Sequence, residues 1–323
     1  MYHLRYVDFQ KFLSLCGVFA NIVLVYLVIT RAPNRMRPCK FVISIKATID
    51  FLAASLSYYT TERTLSTTET ILIISEGSCT RPLRCFAGHM LLVSFLQQNL
   101  VWQVIAYIYR YYILRFRNPS AKNIFFVLFA SYSASLAHSI IWISSFADTV
   151  RDQFPPRIFS KPEDAVMAGW VVYQSTYVIL IMLIVSSLLV FGFYLWIRHN
   201  LIAFMAENSA KMSRSSMILN RQMLKAAHAQ ATIPVCFVIG ALLFFSMHFG
   251  VFNPINVQYL PSMLFILPTI ISPVGYFLFL PPYWNFCFGA TKNSTGRRIK
   301  SKFRMNTVDS TNTISATVNV SVF

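Results

Sequence analysis

The sequence predicts an all-α membrane protein: a bundle of seven transmembrane helices, with the amino terminus outside and the carboxyl terminus inside. Three observations predict it. Of 323 residues, 56% are hydrophobic and only 12% are charged, where a soluble domain of this size carries about a quarter charged residues. The apolar residues gather into seven runs, roughly 9–30, 41–59, 86–109, 123–146, 169–196, 229–252 and 258–280. The lysines and arginines between those runs fall on alternate connections, which sets the orientation.

Each run is long enough to cross a hydrocarbon core of about 30 Å at ~1.5 Å per residue. None shows the repeated alternation of an outer-membrane barrel. The first run, 9–30, is too long for a cleaved leader and ends on a basic stop, so it reads as a span. The second, 41–59, alone carries charges inside the bilayer, Lys46 and Asp50, spaced so that both lie on one helix face. Two arrangements are open there. Lys46 snorkels to the near cytosolic surface while Asp50 is held by that lysine or by polar neighbours, or Asp50 belongs to a buried polar cluster that differs between two conformations.

The third run contains "SFLQQNLVWQVIAYIYR". Gln97, Gln98 and Asn99 fall near its middle, where an unpartnered amide is expensive. Helical spacing puts Asn99, Gln103 and Arg110 near one stripe, which is expected to face the bundle interior. The fourth run holds His138 beside Ser139, which point about 100° apart on a helix and make a poor dyad. The fifth has no such feature. Pro234 opens the sixth, and Pro261, Pro268 and Pro273 interrupt the seventh. A proline inside a helix frees one carbonyl that a neighbouring span has to satisfy. The seven runs fill one domain, 1–283, followed by a cytosolic tail, 284–323, whose distal Ser, Thr and Asn composition predicts disorder.

The net charge of +17 invites a nucleic-acid reading, and its distribution argues against one. Connection 31–40 carries Arg31, Arg35, Arg37 and Lys40, for +4. Connection 110–122 carries Arg110, Arg115, Arg117 and Lys122, again +4. Connection 197–228 sums to +4 and the tail to +5. By contrast 60–85 balances three acids against three arginines, 147–168 sums to −1, and 253–257 is uncharged. Basic short loops mark the cytosolic side, and the same charges favour anionic membrane lipid as a partner. Sequons at Asn293 and Asn319 both fall in the tail, where that topology leaves them unglycosylated. Cys79 and Cys85, in "CTRPLRC", lie on the outer side and are disulfide candidates. Cys287, just past the last span, is a palmitoylation candidate.

Catalytic and metal constellations do not emerge. The six histidines are scattered, with no HExxH and no Cys/His grouping. No nucleophile elbow or phosphate loop occurs. The expectation is therefore not an enzyme, with no cofactor and no metal. A ligand-gated channel or transporter with seven spans is the alternative, although the halves show no internal repeat.

In this order and topology the motifs resemble those of a G-protein-coupled receptor. Tyr109, Arg110 and Tyr111 stand where rhodopsin-like receptors carry Asp-Arg-Tyr. Ser272, Pro273 and Tyr276 resemble Asn-Pro-x-x-Tyr, and Asn21 and Asp50 fall on that family's polar cluster. Tyr109 removes the acidic partner of the arginine, and 147–168 lacks the cysteine that would bridge to the third span. A closer resemblance is to the nematode serpentine chemoreceptors of class delta, over nearly all of 9–283. It is carried by "GVFANIVLVYLVITRAPNRMR", "GSCTRPLRCFAGHMLL", "AYIYRYYILR", "MSRSSMILNRQMLKAAHAQATIPV" and "LPTIISPVGYFLFLPPYW". Pro281 and Lys46 depart from the pattern.

That resemblance implies a plasma-membrane chemoreceptor of the sensory cilium that detects an external small molecule and signals to a heterotrimeric G protein. It assigns coupling and activation to Tyr109, Arg110, Tyr111, Asn21, Asp50, Pro234, Ser272, Pro273 and Tyr276. A ligand cavity is expected between the outer halves of spans three, five, six and seven. Its candidates are His89, Gln97, Asn99, Tyr173, Gln174, Tyr177, His248 and Tyr259.

Overall fold

Polarity is inverted relative to a water-soluble protein. Phe19 is 70% exposed and Leu189 68%, while Asn21, Asp50 and Asn99 are fully buried. Outward apolar and inward polar side chains suit a hydrocarbon solvent. The computed structural model describes residues 2–31, 37–66, 71–115, 166–171, 173–207, 231–249 and 257–280. It also describes single positions between 126 and 140 and between 222 and 230, and residues 283 and 284.

The helices are α1 (Tyr2–Arg31), α2 (Arg37–Thr60), α3 (Pro82–Arg115), α4 (Tyr173–Glu207), α5 (Thr232–His248), α6 (Leu260–Ile266) and α7 (Pro268–Phe279). Among the described residues, six helical stretches are long and apolar enough to cross a membrane, the sixth being α6 and α7 taken together. Most of the expected fourth span, 123–146, lies outside the described residues, and its described positions, such as Phe126 and Tyr132, are helical. The chain is a multi-pass membrane protein. α1 packs on α2, α2 on α3, α3 on α4 and α4 on α5, while α7 returns against α1 and α2.

The seventh span breaks at Leu267, between α6 and α7, because Pro268 follows it. Gly17 lets α1 approach closely at this level. A Cβ there would lie 2.7 Å from Thr269 Oγ1 and 3.1 Å from the Ala54 Cβ.

One end of the bundle carries a small sheet that the helical reading did not include. Strands β1 (Glu62–Ser66), β2 (Ile71–Ser75) and β3 (Val166–Val171) pair antiparallel in the order β1-β2-β3. Glu62 faces Ser75 across the hairpin, and Ile71 faces Val171 across the second ladder. The expected fifth span therefore begins too early. Residues 169–171 belong to β3, where the open edge of β2 takes their backbone groups, and the helix starts at Tyr173.

The turn out of α2 rests on Thr61, whose φ of 39° lies in the left-handed region. Such a residue costs about 1–3 kcal/mol unless its surroundings hold it. Here the Thr61 N–H donates to Ser57 O at 2.8 Å and its hydroxyl donates to Tyr58 O at 3.0 Å. The N–H groups of Glu76, Gly77 and Ser78 then donate to the carbonyls of Thr61, Thr60 and Tyr59. At Gly77 any Cβ would overlap the Tyr59 carbonyl oxygen, so this crossing needs glycine.

Candidate functional site

The buried polar residues form a core that joins five of the spans. Lys46 does not snorkel. It is 2% exposed, and its Nζ donates to Asp50 Oδ1 at 2.6 Å, one turn along α2. Asn99 Nδ2, from α3, donates to the same oxygen at 2.6 Å. Ser272, from α7, supplies a further hydrogen bond to that carboxylate. Gln230 Nε2 donates to Ser272 Oγ at 3.5 Å. A carboxylate accepts several donors at once, so Asp50 gathers α2, α3 and α7 on one side chain. The structure thus places Asn99 with Asp50 and Ser272, apart from His89 and Tyr259, which bond to residues of the sheet end.

Two expected residues find a common purpose in prolines. In a helix, Thr269 O would accept from residue 273, and Pro273 has no N–H to give. Asn21 Nδ2 donates to Thr269 O at 2.8 Å instead, and also to Gly17 O at 2.8 Å. Pro234 removes the bond that Gln230 O would accept in a continuous helix, and Gln103 Nε2 donates to that carbonyl at 3.4 Å. Each freed carbonyl meets a buried amide from another span. The amides of Asn21 and Gln103 answer prolines whose i−4 residues, Thr269 and Gln230, are countable from the sequence.

The end opposite the sheet, which carries the basic connections, is built from rings. Tyr109 is buried with Val42, Trp102 and Ala106, which explains an aromatic residue where an acid was expected. Tyr111 lies 6.5 Å from Trp196. Arg110 sits between them on α3, and its side chain lies outside the described residues. Tyr276 is buried with Leu24, Ile43, Ala47 and Tyr283. Pro234 is buried at the start of α5. Tyr107 and Tyr194 pack at 5.0 Å, and the Tyr194 hydroxyl lies 2.9 Å from His228 Nδ1. Sequence reading missed Tyr194 and His228, since residues 34 apart carry no local pairing signal.

At the sheet end, His89 Nδ1 lies 2.9 Å from Glu62 Oε1, joining α3 to β1. Arg63 holds Glu76 at 3.3 Å and donates to Gln258 Oε1 at 2.8 Å. Tyr259 donates to Glu76 Oε2 at 2.7 Å and stacks on Tyr6 at 5.9 Å. Burial first, then the Glu76 carboxylate, push the Tyr259 phenol up, so it stays a donor in the turn ahead of the seventh span. Cys79 and Cys85 are joined in a disulfide, with Cα atoms 5.5 Å apart. His89 and Tyr259 thus each bond a carboxylate of the hairpin, Glu62 and Glu76, and Gln97 is half-buried on α3. The side chains of Tyr173, Gln174, Tyr177 and His248 lie outside the described residues, as does Cys287.

Fold and core together define a multi-pass helical membrane protein of the G-protein-coupled-receptor kind. Residues 7–289 match the family described as serpentine type 7TM GPCR chemoreceptor Srd, and the chain belongs to that family. It is a family of receptors rather than of enzymes. Among its relatives in Caenorhabditis elegans, serpentine receptor class delta-31 is 33% identical over 95% of this chain and 97% of its own length. Serpentine receptor class delta-26 is 35% identical over 88% and 90%, and class delta-28 is 34% identical over 88% and 89%.

Proposed function

We propose that this chemoreceptor binds an external small molecule at the sheet end and signals to a heterotrimeric G protein at the basic end. The observation that carries the proposal is the buried polar core. It joins Asp50, Asn99, Ser272 and Gln230, on four different spans or their approaches, between the two ends. Alternating basic connections support an outside amino terminus and a cytosolic basic end. Family membership supports placement in the plasma membrane, at the sensory cilium.

The ligand sits near His89, Gln97 and Tyr259, with Tyr173, Gln174, Tyr177 and His248 contributing from spans five and six. It shifts the balance between two bundle arrangements only by its differential affinity for them. Arg110 is the fixed cation that the G protein meets when the basic end opens, with Tyr109 and Tyr111 holding its turn. Cys287, if acylated, pins the chain beyond the last span to the bilayer.

Tags on both termini and antibody access in intact cells test the orientation. Ligand-free nucleotide exchange on a panel of Gα subunits, comparing the parent chain with Arg110→Ala, tests coupling. The expected result is an accessible amino terminus, a hidden carboxyl terminus, and exchange that Arg110→Ala abolishes. Both termini on one face, or ion current without any exchange, would sink this reading in favour of a channel or transporter.

A further inference from the structure

We infer that the sheet end carries a proton-binding site, Glu62 with His89, through which outside acidity clamps α3 onto the β1–β2 hairpin. The inference goes beyond the small-molecule reading. It rests on that reading only for the side of the membrane from which the proton comes.

Two carboxylates stand at the base of the hairpin, and they are matched differently. Glu76 accepts from Arg63 at 3.3 Å and from the Tyr259 hydroxyl at 2.7 Å. An arginine never gives up its proton in a protein, so that contact is constant. Glu62 is buried, with 9% of its side chain exposed, and His89 Nδ1 at 2.9 Å is its only cationic partner among the described residues. The counter-charge of this buried carboxylate therefore exists only while the imidazole is protonated. Imidazole is the side chain that changes charge between about pH 5 and 8.

The fold holds both partners in place. Gly88, beside His89, lets α3 approach the end of α2, since a Cβ there would lie 2.9 Å from Thr60 Cγ2 and 3.5 Å from the Tyr59 ring. Thr61 turns the chain into Glu62, which pairs with Ser75 across the hairpin. The Gln10 amide of α1, with its nitrogen toward the Glu62 carbonyl, meets the Glu62 C=O and N–H at 3.2 Å each. The His89 bond thus acts on a residue that α1 and β2 also grip.

The surrounding charges leave that bond to itself. Arg5 and Asp8 on α1, Arg81 just before α3 and Arg84 on α3 are exposed, and Lys11 is half-buried. β3, which packs on α3, carries no charged residue. Protonated, His89 holds Glu62 by a charge-assisted bond, roughly twice as strong as a neutral one. Neutral, it leaves a buried anion without a cation. The clamp is complete in acid and weakens as the pH rises.

The test uses the full chain in lipid nanodiscs and amide exchange across 62–75, corrected for the change of chemical exchange rate with pH. From about pH 8 to about pH 5.5, across the range in which imidazole titrates, protection is expected to rise about fivefold. That factor is the difference between a charge-assisted and a neutral bond. Glu62→Gln and His89→Gln each keep a hydrogen-bonding group and remove the charge pair, and each is expected to show equal protection at both pH values. No difference in the parent would overturn the site. So would a difference that survives in either variant, and if one variant fails to fold the other decides. Tags that place this end inside the cell would count against the receptor orientation, while the exchange result still decides the proton site.

Discussion

At the sheet end, α3 and the turn ahead of α6 meet the β1–β2 hairpin through Glu62–His89 and Tyr259–Glu76, Arg63–Glu76 closes the hairpin on itself, and a disulfide ties Cys79 to Cys85 on α3. The Thr64 N–H also donates to Gln258 O at 3.1 Å, tying the first strand to the approach of the seventh span. At the basic end, among the described residues, α3 and α4 meet through the ring pairs Tyr107–Tyr194 and Tyr111–Trp196. Charged and backbone bonds fix distance and direction, while aromatic contacts are less directional and tolerate sliding. Among the described residues, the sheet end is therefore held by more directional contacts than the ring pairs of the basic end. The polar core of Asp50, Asn99, Ser272 and Gln230 lies between them.

The largest effect expected concerns that core. Lys46→Met leaves the fully buried Asp50 carboxylate without its ammonium, which costs about 3–5 kcal/mol and should remove folded protein from the membrane. Changing Lys46→Met and Asp50→Asn together removes the buried charge altogether and should recover most of that loss. Thermal inactivation in detergent, run on both singles and the double, checks it. If the losses of the two singles simply add, Lys46 and Asp50 are independent and the core is not organised around their pairing.

A smaller and more local effect is expected at the disulfide. Cys79→Ser with Cys85→Ser opens a loop of sequence separation 6, worth about 2–3 kcal/mol by loop-closure entropy. Amide exchange should rise across 62–75 and stay as it was in α4 and α5. Equal acceleration at both ends would mean that the ends are not separately held, and the contrast between them would fail.

How much of this was written in the sequence differs by residue. Six of the seven expected spans were legible because hydrocarbon demands long apolar runs, and most of the fourth lies outside the described residues. Lys46 and Asp50 were legible as neighbours from their spacing, but the direction of Lys46 depended on Asn99 and Ser272 arriving from other helices. The hairpin was not read. Its strand residues, "ERTLS" and "ILIIS", are β-branched in part, yet the second is a continuous apolar run without the alternation that marks a strand. Residues 169–171 of the third strand looked like the start of a span for the same reason: "VMAGWV" is apolar throughout. Glu62 with His89 and Tyr194 with His228 are tertiary pairs with no local trace.

The subtlest effect expected sharpens the link between core and ends. If Asn21 is kept because Pro273 leaves Thr269 O without a donor, the two residues are coupled, although 252 positions separate them. Asn21→Ala removes the 2.8 Å bond and strands a buried carbonyl, at about 1–3 kcal/mol. In a Pro273→Ala background the helix supplies its own N–H, and the same substitution should cost less by about 1 kcal/mol. Thermal stability of the parent, both singles and the double measures that difference. Pro273→Ala is expected to straighten α7 and draw Ser272 away from Asp50, so part of its own cost should reappear as lost coupling to Asn99. A coupling near zero would mean that Asn21 serves the Gly17 carbonyl alone. The break in the seventh span would then be a matter of shape, with no amide assigned to hold it.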